Sequence, residues 1–248
     1  MRKSALMTLI LMAAGAVQAQ EIDPADLEGR IEYAYFTADA NALRNLVGAT
    51  QNSLAKGSGG ALAHYQRGQV QYRLGQVLRA QNDAKAPEAF SACVDALGKA
   101  IDADKQFAEA YALQAACYAS LAELKAWKVV DVPLAGSRLD RALKLAPKNP
   151  RVALVDALSD YERSRASGED RKRACSKFEK AAQLFDASPE ETKVPAWGAA
   201  DAYLYVGRCL DEGGDVMGAR SALERALIIA PDFAVARAEL RRVVAPKS

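Results

Sequence analysis

Residues 203–231 read YLYVGRCLDEGGDVMGARSALERALIIAP. Tyr203, Val206-Gly207 and Leu210 are three or four residues apart, so they share one face of a helix. Gly213-Gly214-Asp215 then supplies a turn and an N-cap. Ala219, Leu223 and Ala226 repeat the helical spacing in a second element. Together they form a helix-turn-helix unit, with small residues where the helices cross closely and one large residue filling the gap. The second half of the unit recurs along the chain as a small residue, a large apolar residue, then a basic residue and alanine. It reads Cys93, Leu97, Lys99-Ala100, then Ala135, Leu139, Arg141-Ala142, then Ala174, Phe178, Lys180-Ala181, then Ala219, Leu223, Arg225-Ala226. The closing alanines lie 42, 39 and 45 residues apart, and Pro147 and Pro231 follow two of the blocks. Self-similarity at such a period is the signature of a stacked array.

The units resemble the tetratricopeptide repeat (TPR) family. Its pattern places a large residue, Leu-Gly and Tyr on helix A, and Ala, Phe or Leu, Ala and a closing Pro on helix B. The fourth unit matches through Tyr203, Val206, Gly207, Leu210, Ala219, Leu223, Ala226 and Pro231. The second offers Tyr111, Ala115, Tyr118, Ala135, Leu139, Ala142 and Pro147. The first has Leu74-Gly75, Cys93, Leu97 and Ala100, and the third Leu154, Tyr161, Ala174, Phe178 and Ala181. The resemblance implies an all-α, right-handed superhelical solenoid of antiparallel helix pairs, with about four TPR-like repeats and helical caps. The units exceed the family's period of about 34 residues. The surplus is expected in turns, at Asp83–Pro87, Ala126–Leu134 and Ser188–Pro195, because loop closure costs little more as loops lengthen. The insert Trp127–Pro133 is apolar for a loop and reads as a flap over its own repeats or as a partner-contacting edge.

The expected organisation is a leader over 1–19, an N-terminal helical cap and Gly/Ser linker over 20–60, repeats over 61–231, and a capping helix and tail over 232–248. Asp23-Pro24 and Asp39 are helix-start signals, and Gly57-Ser58-Gly59-Gly60 ends the second helix near Lys56. This pair reads as a degenerate repeat. Arg237, Arg241 and Arg242 give the last helix the polar outer face that a terminal element needs.

Arg2-Lys3, the apolar run Ala5–Ala14 and Val17-Gln18-Ala19 form a secretory leader, too short to span a bilayer as a helix of about 20 residues. The chain carries 33 basic and 31 acidic residues. Loss of the leader, with its two basic residues and no acidic one, makes the counts equal. A neutral, mixed surface offers no footprint for nucleic acid, and no later segment is apolar enough for membrane insertion. The expectation is an exported protein, most simply periplasmic.

In such a compartment four cysteines suggest bridges, with three possible connectivities. The repeat alignment selects one. Cys93 and Cys175 open helix B of the first and third units, and Cys117 and Cys209 lie late in helix A of the following units. The midpoints of the two pairs, Lys105 and Thr192, fall in the intervening turns, so Cys93–Cys117 and Cys175–Cys209 are expected to staple adjacent repeats.

Catalytic signals are absent. His64 is the only histidine and has no nucleophile motif around it, so it reads as a packing or surface residue. No CxxC or similar spacing suggests a metal, Gly57–Gly60 lacks the ending of a phosphate loop, and no cofactor is implied. What the family resemblance does imply is a concave groove lined by helix A. Carried over, its residues are Gln69, Tyr72, Gln76 and Arg79, then Glu109, Ala112, Ala116 and Ala119. The third repeat adds Val152, Val155, Ser159 and Glu162, and the fourth Asp201, Leu204, Arg208 and Asp211. An alanine floor lets a helix or extended peptide approach closely, or it packs the next helix. The basic pairs of carboxylate-clamp members are missing, so an acidic C-terminus is not the expected ligand. The function expected is a non-enzymatic envelope adaptor binding a protein segment. The alternatives are an accessory protein that escorts or modulates an envelope hydrolase, and a self-associating structural protein using the Trp127 insert.

Overall fold

The structure, a computed structural model, describes residues 23–55, 57, 59–124, 131–164, 168–188 and 195–245. The expected leader and Trp127 lie outside the described residues, which form eleven α-helices and no strand. These are α1 (Pro24–Phe36), α2 (Ala40–Ala55), α3 (Ala61–Ala80), α4 (Ala86–Ala103), α5 (Ala108–Leu124) and α6 (Asp131–Leu145). They continue with α7 (Pro150–Arg163), α8 (Gly168–Ala187), α9 (Ala199–Glu212), α10 (Val216–Ile229) and α11 (Ala234–Val244).

The starts follow local chemistry. Asp23 accepts from the N–H groups of Ala25 and Asp26 at 2.9 and 3.3 Å, with Pro24 at the first position of α1. Asp39, Asn149 and Asp215 cap α2, α7 and α10 in the same way. Each such cap is worth about 0.5–2 kcal/mol.

α3–α4, α5–α6, α7–α8 and α9–α10 are antiparallel pairs stacked into an all-α solenoid. The recurring block explains why they close. Leu97, Leu139, Phe178 and Leu223 are all buried, as are the alanines three residues after each. A Cβ on Gly68 would lie 2.5 Å from Leu97 Cγ, and one on Gly207 would lie 2.7 Å from Leu223 Cγ. Leu97 and Leu223 therefore each sit in a notch that only glycine leaves in the facing helix A.

Two disulfides fasten neighbouring pairs. Cys93–Cys117 joins α4 to α5 and Cys175–Cys209 joins α8 to α9, with Cα–Cα distances of 6.3 and 5.6 Å. This is the pairing expected from the repeat alignment, and no cysteine remains free.

Two of the three expected turns are shorter than the sequence suggests. Asp131–Leu134 already belong to α6, and Pro133 stands in its first turn, where a backbone N–H has no helical acceptor to lose. Ala86 and Pro87 likewise open α4. Of the third surplus segment, 189–194 lie outside the described residues, and Pro195–Gly198 run non-helically into α9.

The array bends until its ends meet. The Tyr35 hydroxyl at the end of α1 donates to Asp201 of α9 at 2.9 Å, 166 residues away. The rings of Tyr35 and Phe36 lie 5.6 and 4.6 Å from that of Phe233, just before α11.

Candidate functional site: a concave cavity beside a buried ion cluster

On α3, Gln66, Gln69, Arg73 and Gln76 recur at three- and four-residue spacing, one polar stripe along a largely buried helix. On α1, Glu28, Glu32 and Tyr35 form the answering stripe. Where the stripes meet, Arg73 is 1% exposed. Its Nη2 lies 2.6 Å from Glu32 Oε2 and 2.7 Å from Asp201 Oδ2, its Nε 2.9 Å from Glu32 Oε1, and its Nη1 3.0 Å from Gln76 Oε1. The guanidinium also stacks 3.9 Å from the Tyr35 ring centroid. Only the planar arginine fork serves several acceptors in this way.

Electrostatics follow from burial. Burial works against the Arg73 charge, but Asp201 and Glu32 outweigh it and hold its pKa well above the ordinary arginine value. Burial raises the Glu32 carboxyl despite Arg73. Glu28, 2% exposed, is pushed by burial to about 7, although the Ala196 N–H, 2.6 Å away, pulls it down. Beside this contact the Trp197 Nε1–H donates to the Tyr65 hydroxyl at 2.6 Å.

Next to the cluster the concave face holds a cavity of about 290 Å³. Ala115, Ala116 and Ala119 of α5 form its floor. Tyr72 of α3, Leu139 of α6, Val155 and Leu158 of α7 and Tyr205 of α9 form its walls, and Gln76, Ser120 and Ser159 add polar atoms. At the rim Arg79 pairs with Glu123 at 2.6 Å and Arg163 pairs with Asp160.

The structure distributes the groove residues expected from sequence over several places. Tyr72, Gln76, Arg79, Ala116, Ala119, Val155, Ser159 and Glu162 come together at the cavity. Arg208 and Asp211 border an adjoining cleft, where they pair with Glu239 at 3.0 Å and Arg242 at 2.7 Å. Gln69 and Asp201 are buried in the Arg73 cluster, and Leu204 is buried among α9, α10 and α11. Ala112 and Val152 are fully buried, and Glu109 accepts from Asn149 Nδ2 at 2.6 Å at the start of α7. His64 lies away from the cavity, near Arg67 and Lys99. The sequence reading missed Arg73, Glu28, Glu32 and Tyr35, although their spacing on two helices was a usable signal.

Among the described residues no group of three or more His, Cys, Asp or Glu is placed to hold a metal ion. Nor is any described helix long and apolar enough to cross a membrane.

These features define a TPR-like helical solenoid. The chain is similar to the crystal structure of TTC0263, a thermophilic TPR protein of Thermus thermophilus. The TM-score is 0.62 at 14% identity, over 89% of this chain and 97% of that one. Lower likenesses are to Acl4, an assembly chaperone of RpL4 (TM-score 0.45, 16% identity, 89% of this chain and 81% of that one), and to YrrB, a TPR protein with an unusual peptide-binding site (TM-score 0.38, 17% identity, 87% and 92%). No protein-family model and no curated protein matches the chain. At these identities the likeness concerns the fold.

Proposed function

We propose that the protein is an exported, non-enzymatic interaction scaffold that holds a segment of another protein in its concave cavity. The observation that carries this reading is the cavity itself, to which α3, α5, α6, α7 and α9 all contribute side chains. An alanine floor between two tyrosine walls offers apolar surface at low conformational cost, and Ser120, Ser159 and Gln76 offer hydrogen bonds to a backbone. The paired charges at its rim favour an uncharged segment over an acidic or basic one. The export half of the proposal rests on the leader pattern of residues 1–19.

A photo-crosslinking residue at Ala119 should capture a discrete partner in the native envelope. Ala116→Trp, which fills the cavity, should weaken that partner's binding at least roughly tenfold, about 1.4 kcal/mol. Met217→Ala, on α10 outside the cavity lining and 71% exposed, should leave it unchanged. Equal binding by the parent and Ala116→Trp proteins would refute the cavity as the site.

A further inference from the structure

Glu28 is a buried carboxyl with half its hydrogen bonding. One oxygen accepts the Ala196 N–H, and Oε1 has no partner. That single bond links α1 to the segment leading into α9, 168 residues further along the chain. The charged and titratable groups around Glu28 do not compensate for a negative charge. Glu32, one turn on along α1, repels it. Arg73 of α3 is already engaged by Glu32 and Asp201, Arg151 of α7 attracts it without a hydrogen bond to it, and the Tyr65 hydroxyl of α3 is taken up by Trp197. An ionised carboxylate held this way bears a desolvation cost that separation of α1 from residues 196–197, with entry of water, would relieve.

We propose that α1 is a proton-sensitive clasp on the concave face, closed while Glu28 is protonated and loosened when Glu28 ionises. This inference rests on the reading of the cavity as a binding site. The clasp bears on the cavity through Arg73, which ties α3 to α9 while holding Gln76, a wall residue. Loosening lets Tyr72 on α3 and Tyr205 on α9 move apart, so a partner segment enters more readily above neutral pH than below it. Burial already places the Glu28 carboxyl at about 7, inside the range where modest changes of pH act.

Trp197 reports the clasp directly, being 3% exposed and bonded to Tyr65. The chain has two tryptophans, so Trp127→Phe leaves Trp197 as the only one. In that background, emission should move to longer wavelength and iodide quenching should rise as pH increases through about 7. Glu28→Gln and Glu28→Met should both abolish the transition with helix content retained. His64→Asn, which removes the only histidine, should keep it. Emission and quenching that match on both sides of that pH, a transition that survives both Glu28 variants, or one that disappears with His64 would overturn the proposal. No partner is present in this measurement, so the clasp and the binding reading fail separately.

Discussion

Arg73 takes one carboxylate from 41 residues before it and another from 128 residues after it, and it does so almost out of contact with water. Arg73→Met would leave Glu32 and Asp201 buried without their cation, a loss expected to cost about 3–5 kcal/mol. Urea denaturation should show this, and Glu32→Gln with Asp201→Asn in the same chain should restore most of it. A single Arg73→Met variant as stable as the parent would rule out the cluster as a structural tie. Gly207 makes a contrasting case. Its role was plain from the repeat pattern alone, and a Cβ there meets Leu223 at 2.7 Å. Gly207→Ala should destabilise by about 1–3 kcal/mol through overpacking, and Leu223→Val beside it should recover part of the loss. Arg73 was harder to find because its meaning depends on α1, and nothing in the α3 sequence says which helix lies opposite.

At the scale of elements, the periodic parts of the chain were legible and the aperiodic parts were not. Helix pairs repeat, so Cys93 and Cys175 fall at one register position, Cys117 and Cys209 at another, and the pairing follows. α6 starts earlier than expected because Ala126–Leu134 reads as a turn, whereas the first turn of a helix tolerates Pro133. The docking of α1 against residues 196–201 escaped because the contact joins chain segments over 160 residues apart and repeats nowhere. Of the expected groove, the cavity-lining set was readable from family positions. The burial of Gln69, Leu204 and Asp201 arises from closure of the array, which those positions do not encode. The staples carry their own prediction. Cys93→Ser with Cys117→Ser should lower unfolding free energy by about 2–4 kcal/mol, and loss of the second bridge should act similarly. Denaturation of the two double variants, with non-reducing peptide mapping of the parent, checks both. Stability indifferent to either pair would contradict a role for these bridges in holding adjacent repeats.

For the whole molecule, the carboxyls of the clasp set a pH dependence of stability with a definite sign. The Glu28 pKa is raised from 4.5 to about 7 in the folded protein, and that of Glu32 is raised as well. Between these values the folded chain keeps a proton that the unfolded chain has released. Stability therefore falls as pH rises from about 4.5 to 7 and levels off above. Asp160 acts oppositely. Burial works against its charge, but hydrogen bonds from Lys177 and Arg163 prevail and lower its pKa, so its contribution is lost as pH drops below the ordinary aspartate range. The urea midpoint should be higher at about pH 5 than at about pH 8, and Glu28→Gln should remove most of the difference. A midpoint rising over that interval would reverse the assignment.

The placement of the two disulfides has a mechanical consequence. One ties α4 to α5, the other α8 to α9, and the α6–α7 crossing between them carries no disulfide. A pull on the array from its two ends would therefore meet covalent resistance within each stapled block, whereas the α6–α7 crossing would resist it by packing and chain connection alone.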